Sequence, residues 1–485
     1  MSEQPHVIVI MADQLRHDFI KPDIMPRTCA LMAESAQFPR MYTTSPLCVP
    51  ARGAFFTGQY PNETGCLVNG WEPIDRQHGL VKRDTPNLYK SFEAAGYDSW
   101  HTGKQHLHTA DDFDRQTDSN THWKSLENGY QEHLNKAGAV PPGGPDFTGI
   151  CPEVHARKTT AARRYSIPHT GNYEGGFENF FDGYILKESL DAIENRDPQK
   201  PFLLNAMFLA PHPPFDIPSP WYEKFNDMPV SENVGEWDTL QSPLNLYHMA
   251  GAIGARYKRS EWQEPWRVYA GLCNLLDHCV GQIIDKLKEE EIYDDSIILF
   301  TADHGEMLGS HCLWQKMVLY EESTRTPLSI RLPGGKYAGV AQLEPVSQID
   351  VYPTLCDLAG IEIPNCVSGQ SLRPEIEGNR PQTLRPVYIQ SDGNGSLEKW
   401  SRGVIAEDFK LIVDGFKDEV FFELYNLATD PLERENLAFT QTEKVIHLLD
   451  TLSVHMKKTG DAIKLNLSDY TFFTKTYAYQ AKERA

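Results

Sequence analysis

Cys48 stands two residues before Pro50 and four before Arg52, where Pro50 opens a helix that Ala51 to Thr57 continue. A thiol near that helix start would feel both the helix dipole and a guanidinium, and each favours the thiolate. Taken alone, such a cysteine is more simply a small buried apolar residue. Three polar clusters each follow an apolar strand-like run: Asp13 after His6–Met11, His212 after Phe202–Leu209, and Asp303-His304 after Ser296–Thr301. Asp13, Asp303 and His304 are hard or intermediate donors suited to a divalent cation. Their plainer readings are a turn at Asp303-His304-Gly305 and, for His212 among its prolines, loop packing.

For these clusters to meet, the chain must lay its strand ends side by side. His6–Met11 is a short β-branched run, as expected at the buried centre of a parallel sheet. Leu88–Ala95 reads as a helix and Tyr97–His101 as the strand after it. Val268–Glu290 has helical periodicity, with Leu272, Leu275, Leu276, Cys279, Ile283 and Leu287 on one face. Alternating strands and helices predict an α/β domain over residues 1–379, with a large doubly wound, mainly parallel sheet flanked by helices. In such sheets ligands bind at the carboxyl ends of the strands. Residues 380–485 read as a smaller α+β subdomain: Pro386–Gln390, Gly403–Asp414 and Val420–Leu424 alternate as antiparallel strands do, and Thr442–Lys457 is an amphipathic helix. Thr109–Gly175 reads as an inserted loop region with little periodicity.

The chain has 485 residues, 40% of them hydrophobic and 23% charged, which is ample for a core. Asp and Glu number 67 against 46 Lys and Arg, a formal net charge of −21. So acidic a field excludes nucleic acid and anionic membranes as partners, and any anion must be held by a few cations inside a pocket. No apolar run is long enough to span a bilayer. The N-terminus lacks a basic region and a cleavage site. The nine cysteines are scattered and odd in number, without CxxC spacing. A cytoplasmic protein is therefore expected.

Cys48, Pro50 and Arg52 match the C-x-P-x-R signature of the type I, formylglycine-dependent sulfatases, and the resemblance runs along nearly the whole chain. Ala12-Asp13-Gln14 resembles that family's first metal segment. Gly96-Tyr97 through Gly103-Lys104-Gln105-His106 resembles its second signature, and Ala210 to Phe215 the segment that holds its leaving-group histidine. Thr301 to Glu306 resembles the second metal segment, with Lys316 at the usual distance beyond. Leu424-Tyr425-Asn426-Leu427, Asp430-Pro431 and Glu435-Asn436-Leu437 resemble its ending.

The resemblance implies an alkaline phosphatase-like fold and hydrolysis of sulfate monoesters of small soluble alcohols, a sulfated mono- or disaccharide being expected. It implies that Cys48 is converted to formylglycine by a formylglycine-generating or anaerobic sulfatase-maturing enzyme. The hydrate at position 48 would be the nucleophile and complete a metal shell of Asp13, Asp303 and His304. Arg52 would hold that nucleophile or the sulfuryl oxygens, Lys104 and Lys316 would bind the sulfuryl group, His106 would be the base that regenerates the aldehyde, and His212 the acid for the leaving group. Asn69 occupies a position the family uses for an active-site amide, while His101 and His108 are expected as packing or pocket wall.

Ala12-Asp13 and Asp303-His304 depart from the acidic pair and the Asp-Asn pair of many arylsulfatases. They resemble the choline sulfatase and phosphonate monoester hydrolase branches and uncharacterised cytoplasmic bacterial sulfatases. Calcium is the expected metal, and the histidine ligand admits manganese or zinc. A phosphonate monoesterase or phosphodiesterase is the alternative activity. A non-catalytic anion-binding protein would not need the full set of Asp, His, Lys and Arg. A phosphomutase-like transferase would want Ser or Thr at position 48. Lys158, Arg163, Arg164, Arg256, Lys258 and Arg259 could contact a second anionic group such as a uronate, although a solvated surface is the ordinary reading of each. Homo-oligomerisation stays open.

Overall fold

In the run His6–Asp13 the even-numbered and odd-numbered side chains are equally apolar, so a strand made from it needs cover on both faces. The computed structural model describes residues 4–110, 119–154, 160–379 and 384–477, and it places this strand, β1, at the heart of a seven-stranded sheet. The other strands of that sheet that matter here are β2 (Asp98–Gly103), β3 (His122–Ser125), β4 (Phe202–Pro211), β5 (Ser296–Ala302) and β6 (Leu328–Arg331). Their spatial order is β6-β5-β1-β4-β2-β3, with Ala36–Gln37 beyond β6 at the edge. All pairs from β5 to β3 are parallel, and β6 joins β5 antiparallel.

Ile8, Ile10 and Ala12 of β1 pack under the helices α3 (Phe181–Glu194) and α4 (Gln263–Glu289). Val7, Val9 and Met11 pack on the other face with α1 (Cys48–Thr57) and α5 (Val351–Ala359). This is the doubly wound α/β arrangement expected. Each buried aliphatic side chain of these layers contributes about 1.5–3 kcal/mol relative to exposure, so the sheet edge bearing the strand ends is a rigid platform.

The region 109–175 differs from its reading as loop. His122–Ser125 extends the central sheet beside β2, and α2 (Leu126–Ala137) follows it directly, burying Tyr130 and Leu134. Thr148–Glu153 and Ala161–Ser166 pair as antiparallel strands. The short strand is half exposed at the sheet edge and carries little apolar pattern, which is why periodicity does not reveal it.

A C-terminal subdomain is built on an antiparallel sheet of β7 (Val387–Ser391), β8 (Trp400–Ala406), β9 (Phe409–Phe416) and β10 (Glu419–Asn426). Helix α6 (Thr442–Lys458) covers it through Val445, Leu448, Leu449, Leu452 and Met456. The stretch read as alternating from Gly403 to Asp414 is two strands, because Glu407 takes a left-handed turn at φ 56°. The expected boundary at 379/380 adjoins residues 380–383, which lie outside the described residues. No described helix is long and apolar enough to cross a membrane.

Candidate active site

Because β5, β1, β4 and β2 are parallel neighbours, their carboxyl ends deliver Asp303, Asp13, His212 and Lys104 to one edge. Register sets the fine placement. Ala12 pairs with Ala302, so Asp13 and Asp303 leave the sheet together. Gly103 pairs with Met207 and has φ +89°, and a Cβ there would lie 2.1 Å from the Met207 carbonyl oxygen. Only glycine lets β2 approach so closely, and Lys104 is aimed by that turn. From the other side α1 begins at Cys48, with all ten of its residues buried. The Asn69 amide oxygen accepts from the Val49 N–H at 3.3 Å, satisfying one of the free donors of this helix start.

One ligand atom from each of Asp13, Cys48, Asp303 and His304 falls within 4.8 Å of the others, and all four residues are buried. Cys48 Sγ lies 3.2 Å from His304 Nε2, 3.0 Å from Lys316 Nζ and 3.8 Å from Lys104 Nζ. Arg52 donates to Asp303 at 3.0 Å and to Asp13 at 3.1 Å, and Lys104 also donates to Asp13. His304 Nδ1 is 3.0 Å from the Gly305 carbonyl, which places its proton there and turns the Nε2 lone pair towards the cluster.

Burial would raise the Asp13 carboxyl, and so would Cys48, but Lys104, His212 and Lys316 outweigh both and hold it well below the usual carboxylate range. Burial would likewise raise the Cys48 thiol, yet Lys104, Lys316 and His304 bring it well below its ordinary value. Burial, and then Lys104, push His106 down to about 3. Burial followed by Lys316 and Lys104 lowers His212. His304 moves the other way: burial disfavours its cation, but Asp303 and Cys48 together more than compensate. The pocket is thus a buried anionic cluster ringed by fixed cations, able to hold a divalent metal and a bound oxyanion together.

The structure brings Asp13, Cys48, Arg52, Lys104, His106, His212, Asp303, His304 and Lys316 to this one place. His212 is half-buried, with Nδ1 at 2.5 Å from the Pro213 carbonyl. Asn69 lines the cleft leading in, together with His108, whose ring is 5.4 Å from that of His106. His101 lies apart, buried in β2, with Nδ1 at 2.7 Å from the Tyr89 hydroxyl. Of the six cations suggested for a second anion, Lys158 lies outside the described residues. Arg163 pairs with Glu72, Arg256 donates to the Ile150 carbonyl, and Arg259 to the carbonyls of Ser231 and Val234. None of the five described ones lines the cleft.

Sequence reasoning missed four polar groups around the site. Gln14, at φ 68°, turns its amide oxygen to Lys316 Nζ at 2.5 Å, while its amide nitrogen donates to buried Glu306. Their place beside Asp13 and Asp303-His304 was the available signal. Gln348 donates to the Asp303 carbonyl at 3.1 Å. Glu127, in the first turn of α2, sits with its carboxylate 3.9 Å from His106 Nε2 and lines the cleft. It falls in the stretch read as loop, where no pattern pointed to it.

Comparison with known proteins points to one family. The family profile described as Sulfatase matches residues 5–361, and that described as N-sulphoglucosamine sulphohydrolase, C-terminal, matches residues 309–460. A choline-sulfatase of Rhizobium meliloti (strain 1021) is 29% identical over 90% of this chain and 82% of its own. An arylsulfatase of Clostridium perfringens (strain 13 / Type A) is 27% identical over 91% of this chain and 92% of its own. Among solved structures, the phosphonate monoester hydrolase of Agrobacterium radiobacter superposes with a TM-score of 0.75 at 23% identity, covering 94% of this chain and 96% of that one.

Proposed function

The chain belongs to the sulfatase family and is a sulfuric ester hydrolase, and from that premise we propose that it cleaves sulfate monoesters of small alcohols through formylglycine at position 48 and one divalent metal. The observation that carries this reading is the convergence of Asp13, Asp303 and His304 on the side chain of residue 48, with Lys104 and Lys316 beside it.

The donor set fits a metal. Asp13 and Asp303 offer hard oxygens, which favours calcium, and Nε2 of His304 is the group that admits manganese or zinc. As a formylglycine hydrate, residue 48 would supply a nucleophilic hydroxyl, and a divalent metal held by Asp13, Asp303 and His304 would make that hydroxyl more acidic. Lys104 and Lys316 neutralise the sulfuryl oxygens as point charges, and Arg52 holds Asp13 and Asp303 in place. With Nδ1 committed to Pro213, His212 would use Nε2 to deliver a proton to the bridging oxygen. His106, kept neutral, takes the proton of the second hydroxyl at position 48, and the carbonyl there reforms as sulfate leaves. A maturing enzyme must first oxidise the thiol. The nine free cysteines suit a reducing compartment, in keeping with a cytoplasmic enzyme.

A second reading, a phosphonate monoester hydrolase, is favoured by His304 at the metal and by the similarity to that fold. The Lys104–His106 pair supports sulfate. Mass spectrometry of the peptide containing residue 48, from protein produced with a maturing enzyme, is expected to show the thiol replaced by an aldehyde. Turnover of 4-nitrophenyl sulfate should then exceed that of 4-nitrophenyl phenylphosphonate. An intact thiol in active protein would refute the formylglycine mechanism, and the opposite preference would establish the second reading.

A further inference from the structure

The cleft beside Asn69 is about 610 Å³, far more than a sulfate group fills, and one loop makes its wall. Residues 69–80 fold back on themselves: Gly70 has φ +71°, and a Cβ on Gly79 would lie 2.9 Å from the Gly70 Cα. Distant segments clamp the loop from behind. Glu72 pairs with Arg163 of the 161–166 strand, and its N–H donates to the Gly395 carbonyl at 3.3 Å. The Asp75 carboxylate is buried and accepts from the Leu397 N–H at 3.2 Å.

Trp71 is held against Gly395 so closely that a Cβ there would meet its indole at 2.8 Å, yet the residue is 60% exposed where it lines the cleft. A large apolar ring, fixed from behind and open at a cleft wall, is costly in water and suited to ligand contact. Arg76 lines the same cleft at the Gly70 end, exposed and, among the described residues, without an ion pair. At the His106 end stands the Glu127 carboxylate, which would repel an anion.

We propose that the loop 69–80 binds the alcohol half of the ester: Trp71 stacks on a six-membered ring and Arg76 pairs with a second anionic group, so that the substrate is a sulfated ring alcohol carrying another sulfate or a carboxylate. This rests on the sulfatase reading. The apolar C–H face of a pyranose covers an indole, whereas an acyclic ester leaves it wet. The guanidinium gives the second anion a charge-assisted, two-pronged contact that a neutral substituent cannot replace.

The test uses three sulfate monoesters on the converted full chain: propyl sulfate has neither feature, N-acetylglucosamine 6-sulfate has the ring, and glucosamine 2-N,6-O-disulfate has the ring and a second anion. Trp71→Ala is expected to lower kcat/KM about tenfold on both sugars, through KM, and to leave propyl sulfate within about twofold. Arg76→Gln should cost about tenfold on the disulfate alone. Both residues are exposed, so wild-type melting temperatures are expected. Equal losses on all three esters, no losses, or wild-type preference for propyl sulfate would overturn the proposal. If the wild type turns over no ester, the sulfatase reading fails and calorimetry on the unconverted chain decides. The disulfate should bind and lose about tenfold in affinity in each variant; no binding, or unchanged binding in the variants, overturns the assignment.

Discussion

His212 and Asp303 are set apart by what each has beside it. His212 is committed at Nδ1 to Pro213 and lowered by burial, Lys316 and Lys104, so its protonated form is a strong acid. Its removal should matter in proportion to how badly the departing alkoxide needs a proton. His212→Ala is expected to lower kcat by about 10²–10⁴ on alkyl sulfates and far less on 4-nitrophenyl sulfate; equal losses on both would remove His212 as the acid. Asp303 accepts from Arg52 at 3.0 Å on one carboxylate oxygen and from the Gln14 N–H at 3.1 Å on the other. Asp303→Asn keeps the shape but removes one charge. It should lower bound metal, measured by elemental analysis of dialysed protein, and cost roughly 10²–10³ in kcat through lost electrostatic stabilisation. Full metal content in the variant would take Asp303 out of the shell.

At the scale of elements, the end of β4 is held by the start of α3. The Asp182 carboxylate accepts from the N–H groups of Leu209 at 2.9 Å and Ala210 at 3.0 Å, just ahead of His212. Its second oxygen is buried without a partner among the described residues, and burial lifts the group to about 7. Since the folded value lies above the unfolded one of about 3.9, the stabilising contribution is complete below that unfolded value and fades as pH rises through about 7. Glu423 behaves alike: burial and then Asp414 lift it to about 8. The melting temperature should therefore fall as pH rises from about 4 to about 8, and Asp182→Asn should shrink that fall. An unaltered pH dependence in the variant would show that Asp182 does not titrate in this range.

For the molecule as a whole, the C-terminal subdomain serves as a buttress for the segment that carries Lys316. From β9, buried Lys410 reaches Glu321 at 2.7 Å, Glu433 at 2.8 Å and the Leu319 carbonyl at 3.1 Å. The Ser391 hydroxyl, from β7, donates to the Met317 carbonyl at 3.3 Å. Burial disfavours the Lys410 cation, but the two glutamates outweigh it and raise the ammonium pKa. Replacing it strands two buried carboxylates. Lys410→Met should cost about 3–5 kcal/mol in urea unfolding and lower kcat by loosening Lys316; a wild-type unfolding midpoint would deny the joint that role.

Much of this was legible in the chain. The strands ending at Asp13, Pro211 and Ala302 and the helix of Cys48 are marked by local apolar runs, by Pro50 and by motif spacing, all of which act over a few residues. What sequence could not supply was adjacency. That β1 lies between β4 and β5, that Gln14 reaches Glu306 and Lys316, and that Glu127 faces His106 depend on contacts between distant residues. The cations proposed for a second anion show the same divide: Arg163 and Arg259 look free in the sequence and are used up by Glu72 and by backbone carbonyls. Sequence alone determined which chemistry the chain could carry, because residue type and spacing are local properties. The tertiary structure decided which charges meet and which side chains stay open to a substrate, because burial and pairing are settled only when the layers close.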